Sequence, residues 1–312
     1  MTDAENTKKT DTLTTCMQSC SGCQISILDL HEEILDVLNL INLKYAPVIM
    51  DVKVIPKVTV ALVAGAVANS DNEEKLKEIR KKSDILIALG SCAAFGGIAG
   101  MRNLNTLDET LTRGYVKTES TVDGKIPRGK DIPRLLENVK PLNKVVKVDF
   151  IIPGCPPTSA SIKNTIVSLL SGQELKPSQK NLCNDCPREQ KDLLVPKREF
   201  ITDMVYAPCE LETIDPEKCF LEQGVICMGP ATLEGCGSRC MKANMPCRGC
   251  MGPSPNAMEQ GCEIINALSS IIPAGAIMFQ DDIVGTGYRY TMASSIYPHI
   301  SKAKSKKVSM GE

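Results

Sequence analysis

Asp84-Ile-Leu-Ile-Ala-Leu-Gly90-Ser-Cys92-Ala-Ala-Phe-Gly96-Gly97 decides how this chain is read. The first half is a short apolar run with β-branched residues, too short for a helix and bounded by glycine, so it reads as a buried strand. The same signature occurs upstream in Val58-Thr-Val-Ala-Leu-Val63 and downstream in Val145-Val-Lys-Val-Asp-Phe-Ile-Ile152. Helical patterns lie between and beside these runs. Glu73 to Lys82 is charged and helical, and Ser159 to Leu170 is a helix with Gly172 as its stop. From Gln24 to Leu43, Ile25, Leu28, Leu35 and Leu38 recur at helical spacing. Thr12 to Cys23 is a short extended piece that ends in a cysteine loop. Strands alternating with helices predict an α/β domain with a doubly wound, flavodoxin-like parallel sheet over 12–172. Residues up to Asp11 read as a mobile tail, and Met101 to Pro141 as an insertion. After Gly172 the alternation stops, and Pro, Gly and Cys dominate. The expectation for 173–312 is a largely irregular carboxyl-terminal domain built around its ligands, with one helix near Ala257 to Leu268.

The chain has 312 residues, 36 basic and 37 acidic, with no Trp and 4% aromatics. Near-zero net charge gives no electrostatic case for nucleic acid or an anionic membrane. The amino end lacks the apolar core of a secretory signal and a twin-arginine pair, and no stretch approaches a membrane span. The expectation is a cytoplasmic protein. Lys302 to Lys307 reads as a solvated tail. Fifteen cysteines in such a setting are poor candidates for structural disulfides, because cytoplasmic thiol pools keep them reduced.

Where the cysteines fall is informative. Cys20-Ser-Gly-Cys23 precedes a helix. Cys92 follows one strand, and Cys155, in Pro153-Gly154-Cys155-Pro156-Pro157, follows another. Open parallel sheets bind ligands beyond the carboxyl ends of their strands, so these four thiols are predicted to meet. Backbone N–H groups at helix starts there suit a net-negative thiolate cluster. Four inert buried cysteines would explain Cys92 alone, since free cysteine is often buried. A thioredoxin-type redox pair leaves Cys92 and Cys155 unexplained.

Eight more thiols crowd Cys183 to Cys250: Cys183 and Cys186, Cys219 and Cys227, Cys236 and Cys240, Cys247 and Cys250. Two tetra-thiolate sites is the simplest division. Zinc and iron–sulfur both accept four thiolates, so residue type alone leaves the choice open.

With these motifs in hand, the chain resembles the small subunit of a [NiFe] hydrogenase, from about Thr12 to Gly252. The resemblance implies three iron–sulfur clusters. Cys20, Cys23, Cys92 and Cys155 would hold the proximal [4Fe–4S] cluster, which in the family faces the catalytic subunit. Cys183, Cys186, Cys219 and Cys227 match the distal positions. Cys183 stands where many relatives have His, and the gap from Cys219 to Cys227 is slightly longer than usual. Cys236, Cys247 and Cys250 match the medial positions. Cys240 matches the place of a Pro that leaves many relatives with [3Fe–4S], so a complete [4Fe–4S] medial cluster is implied. All-sulfur ligation favours low potentials. Ala64 stands where relatives usually carry Glu, so no carboxylate there can handle protons.

The H2-splitting centre is expected on a [NiFe] hydrogenase large subunit, leaving conduction to this chain. The nearest subgroup by resemblance is the methanogen F420-non-reducing, methyl-viologen-reducing enzyme. It would pass electrons through an electron-accepting iron–sulfur subunit linked to heterodisulfide reductase. The F420-reducing enzyme's small subunit is the alternative, though it tends to carry further ferredoxin-like cysteine runs that are missing here. From another class, a zinc-stabilised interaction module would fit Cys183 to Cys250 alone. The cluster subunit of a respiratory complex I relative shares the amino-terminal fold, but has adjacent cysteines and ordinarily lacks the eight-cysteine extension. Cys16, Cys209 and Cys262 are left over as packing or surface thiols, with Cys16 and Cys209 as possible substitutes for a neighbouring ligand. His31 reads as a polar helix residue, and His299 falls outside every motif.

Overall fold

The structure is a computed structural model that describes residues 9–173, 178–191, 212–271 and 282–296. Its centre is a five-stranded parallel sheet of β1 (Thr10–Cys16), β2 (Ile41–Tyr45), β3 (Val58–Ala64), β5 (Ser83–Leu89) and β7 (Phe150–Ile152). The spatial order is β2-β1-β3-β5-β7, all pairs parallel. Counted along the chain, that is the flavodoxin order 2-1-3-4-5. The expected α/β fold class therefore holds.

Both faces of the sheet are buried, which is why its strands read as near-continuous apolar runs. Ala61, Val63, Leu86 and Ala88 pack on one face with Leu76 and Ile79 of α3 (Ser70–Lys82). Val60, Leu62, Ile87 and Leu89 pack on the other, with Ile162 and Ile166 of α6 (Ser159–Leu170) and with Leu30 and Val37. Both helices start on side-chain caps. Asn69 Oδ1 accepts from Asn72 N at 2.8 Å, and Thr158 Oγ1 accepts from Ser161 N at 3.1 Å.

Four local expectations change. The single helix over Gln24 to Leu43 is instead α1 (Gly22–Leu28), a 3₁₀ turn at His31–Glu33, α2 (Ile34–Leu40) and the edge strand β2. The apolar stripe on which that helix rested lies at the surface, with Ile25 53% and Leu35 63% exposed. Pairing of Ile41 and Leu43 to β1 wins over the helical period. Second, the run from Val145 is strand only over β7. Asp149 sets where pairing begins: its N–H donates to Leu86 O at 2.9 Å, and its carboxylate accepts from Leu86 N at 2.9 Å. Third, residues 101–141 are integrated rather than inserted. β6 (Leu135–Lys140) pairs antiparallel with β4 (Val67–Asn69), and Asn103 exchanges two side-chain bonds with the Val139 backbone. Between them, α5 (Leu107–Tyr115) starts on a reciprocal Thr106–Glu109 capping box. Fourth, Thr10 and Asp11 belong to β1 rather than to a tail.

Beyond Gly172, regular structure among the described residues is sparse: 3₁₀ turns, α7 (Arg239–Lys242), α8 (Gln260–Ile271) and α9 (Ile283–Gly287). The helix expected from Ala257 starts at Gln260. The core of this region is Leu182, Phe220, Val225, Met228, Met241, Ile264 and Leu268, with cysteines among them. It packs on the segment following β5, where Gly97 N donates to Tyr290 O at 3.0 Å. Lys302 to Lys307 lies outside the described residues.

Candidate metal centre

Each cysteine of the first set comes from the carboxyl end of a sheet strand. Cys20 lies in the loop after β1, and Cys23 lies inside the first turn of α1 rather than before it. Cys92 is in α4 (Gly90–Phe95), directly after β5, and Cys155 follows β7. Two side chains fix this arrangement: Gln24 Nε2 donates to Thr15 O at 2.9 Å, and Ser26 Oγ donates to Pro157 O at 2.5 Å. Burial, then the charges of Cys92, Cys155, Cys20 and Cys16, push the Cys23 thiol up to about 12. Burial, then Cys92 and Cys20, push Cys155 up to about 11. Burial and Cys20 raise Cys92 against the lowering effect of the Ile98 N–H. Cys20, Cys23, Cys92 and Cys155 therefore lie at the same end of the sheet, near enough for their charges to act on one another.

The eight later thiols form two further sets. Cys183, Cys186, Cys219 and Cys227 line one pocket together with Arg188, Phe220 and Gly229. Burial, then Cys227, Cys219 and Cys186, push Cys183 up to about 12. Burial raises Cys219 while the N–H groups of Leu221 and Glu222 oppose it. Cys236, Cys240 and Cys250 sit together: burial raises Cys250 to about 11, opposed by the Cys155 N–H and assisted by Cys236, Cys155 and Cys240. Burial and Cys236 raise Cys240, and Arg248 acts against them. Cys247 lies between the two groups: its thiol is raised by burial first, by Cys227 second and by Cys250 last.

The third group of thiols touches both of the others. The third touches the first through Cys250, which receives the Cys155 N–H and whose carbonyl accepts from Ser91 Oγ. It touches the second through Cys247, whose N–H donates to Cys227 Sγ at 3.3 Å. The middle set thus comes from the last-placed cysteines of the three.

Cys23, Cys92, Cys155, Cys183, Cys219, Cys227, Cys240, Cys247 and Cys250 resist ionising, because burial and mutual repulsion both disfavour thiolate. A group that supplies positive charge to every set removes that penalty, so the donor chemistry fits a metal-bearing cofactor. Among the described residues, no three Cys, His, Asp or Glu side chains converge as ligands of one metal ion.

Cys16 ends β1, with its Sγ 3.9 Å from Ser21 Oγ, as a fifth thiol beside the first set. Cys262 lies on α8, 3.4 Å from the Tyr288 hydroxyl. Cys209 and His299 fall outside the described residues. Exposed His31 sits in the 3₁₀ turn. Two residues carry no clear signal in the sequence. Ser91 joins the first set to the third. Arg188 is buried against the second, and its only signal is adjacency in Cys186-Pro-Arg188.

Comparison with known proteins follows the same lines. The chain is 38% identical to the G subunit of the F420-non-reducing hydrogenase of Methanothermobacter thermautotrophicus, over 89% of this chain and 93% of that one. It is 42% identical to the vhu G subunit of the F420-non-reducing hydrogenase of Methanocaldococcus jannaschii, over 80% and 84%. The chain belongs to the [NiFe] hydrogenase small-subunit family. A family model described as the NADH ubiquinone oxidoreductase 20 Kd subunit matches residues 20–169, which take in most of the sheet and the first cysteine set and stop before Cys183. Among solved structures, a subunit of an NAD⁺-reducing [NiFe] hydrogenase is 32% identical, with TM-score 0.52, over 54% of this chain and 94% of that one. A chain of the Dm. baculatum [NiFeSe] hydrogenase shares the fold at 19% identity and TM-score 0.50, over 85% and 99%. This hydrogenase small subunit is therefore a subunit of an oxidoreductase. No helix among its described residues is long and apolar enough to cross a membrane.

Proposed function

We propose that this small subunit carries electrons released by H2 oxidation at a [NiFe] large subunit to a low-potential acceptor, over three [4Fe–4S] clusters. One observation supports the reading: contacts between Cys155 and Cys250 and between Cys247 and Cys227 link the three groups of thiols. Cys20, Cys23, Cys92 and Cys155 hold the proximal cluster within 12–172. Cys236, Cys240, Cys247 and Cys250 hold the medial one, and Cys183, Cys186, Cys219 and Cys227 the distal one, both within 173–312. When bound, such clusters supply one-electron centres whose potentials depend on ligand type, hydrogen bonds to sulfur and burial. The chain's own groups set those terms. The N–H of Cys247 donates to Cys227 Sγ and the N–H of Gly249 to Cys247 Sγ, each at 3.3 Å. The Thr232 hydroxyl stands 3.8 Å from Cys247 Sγ, and Phe220, Met228 and Met241 exclude water around these thiols.

A heterodisulfide-reductase-linked iron–sulfur partner as acceptor and a cytoplasmic location belong to the same proposal; the relatives' F420-non-reducing character supports an acceptor other than F420. The test is anaerobic purification with native partners. The expected product is brown, with about twelve irons and as many acid-labile sulfides per small subunit, one [4Fe–4S] group for each four-cysteine set. A nickel-bearing large subunit and a heterodisulfide reductase subunit should accompany it. Stoichiometric zinc without sulfide sinks the cluster reading, and a copurifying F420-binding flavoprotein replaces the acceptor.

A further inference from the structure

Arg188 is a permanent cation, 8% exposed, in the wall of the pocket lined by Cys183, Cys186, Cys219 and Cys227. Its hydrogen bonds go to neutral oxygens. One guanidinium nitrogen donates to Asp215 O at 2.7 Å and Lys218 O at 2.8 Å, and another donates to Asn244 Oδ1. The guanidinium carbon stacks 3.8 Å from the Phe220 ring centroid. Nε is buried with no hydrogen-bond partner in the structure. Burying a charge against neutral partners alone is expensive, as is an orphaned buried donor. Nearby Lys191 and Lys218 are exposed and pair with Glu189 and Asp215, so they add little net charge. Glu222 also acts on Cys219, in the opposite sense to a cation. The Asp215 carboxylate acts on Arg188 from outside the pocket, but it is partly exposed and shared with Lys218, so the pocket itself is where the rest of the buried charge is balanced.

We propose that Arg188 raises the reduction potential of the cluster at Cys183, Cys186, Cys219 and Cys227, and so keeps the outermost relay reducible despite all-thiolate ligation. The inference rests on the cluster reading above. Reduction there adds one electron, drawn from H2 at the large subunit, and makes or breaks no bond. The added negative charge is stabilised by a nearby buried cation, so the reduced form gains and the potential rises. A clamp role, in which Arg188 only ties the Asp215–Lys218 backbone to Asn244, would hold the loop without moving the potential.

The experiment uses the anaerobic hydrogenase complex with wild-type, Arg188→Lys and Arg188→Gln small subunits, titrated with dithionite and followed by electron paramagnetic resonance. The relevant signal is the one that Cys183→Ser alters. Arg188→Gln is expected to lower the reduced-to-oxidised ratio at fixed potential about tenfold, equivalent to about 59 mV for one electron. Arg188→Lys, which keeps the charge, should recover most of that shift. Loss of this cluster in Arg188→Gln with retention in Arg188→Lys would also support the charge role. An unchanged midpoint in Arg188→Gln with full iron, or equal loss of the cluster in both variants, overturns it. Absence of the signal from wild-type protein would instead refute the cluster reading.

Discussion

At Gly90 the backbone turns with φ +84°, and a Cβ placed there would strike Cys23 Sγ. Glycine is required twice over, by the left-handed conformation and by the sulfur. If the three proposed [4Fe–4S] clusters are bound, Gly90→Ala is expected to lose about one third of the iron and to leave the later sets loaded. Iron and sulfide analysis of the purified complex checks this; full iron content would show that the sulfur can move aside. Asp149 is a second residue whose environment dictates a measurable effect. Burial pushes its carboxyl up, but the Leu86 N–H and Arg80 outweigh that and hold it below the usual carboxylate range. Arg80 approaches it at 2.5 Å, with both side chains about four-fifths buried. A depressed folded pKa stabilises the fold above the ordinary Asp value near 3.9, and the gain is lost as pH falls through the folded value. Asp149→Asn should cost about 1.5–3 kcal/mol near neutral pH and progressively less in acid. Urea titrations at pH 7 and pH 3 test it, and an equal cost at both would rule out the charge.

At the scale of elements, capping separates what reads from sequence from what does not. Asn69 and Thr158 stand just ahead of helical runs, so the starts of α3 and α6 follow from local chemistry. Asn69→Ala should remove about 1 kcal/mol. The loss should appear as a lower urea midpoint with an unchanged slope; no change would mean that Asn72 finds another acceptor. The span Gln24–Leu43 misleads because its apolar residues satisfy a helical period while serving two other purposes. Ile41 and Leu43 add an edge strand to β1, and Ile25 and Leu35 lie exposed. The run ahead of β7 misleads in another way: Val145, Val146 and Val148 are apolar for packing against the core rather than for pairing.

Across the whole molecule, two kinds of order coexist. The sheet buries Leu13, Leu62, Leu86 and Leu89 on two continuous faces and carries its own core. The region after Gly172 has short turns and a core threaded with thiols, so metal bound there would contribute directly to its folding free energy. Removing iron with a chelator should leave amide-exchange protection in 58–64 and 83–89 while 219–252 exchanges freely. Hydrogen exchange with mass spectrometry reads this out, and persistent protection over 219–252 would show that its apolar residues suffice.

The sequence alone was enough for the alternation of strand and helix, the flavodoxin-like sheet and the placing of Cys20, Cys23, Cys92 and Cys155 at one end of it. Local periodicity and the fixed geometry of parallel sheets carry that information. It could not order the three cysteine sets in space or place Arg188 beside Cys183. Those depend on how an irregular region folds back onto the segment after β5, through Ser91 to Cys250 and Gly97 to Tyr290. Long-range contacts of that kind leave no period in the chain, and only the packed molecule decides them.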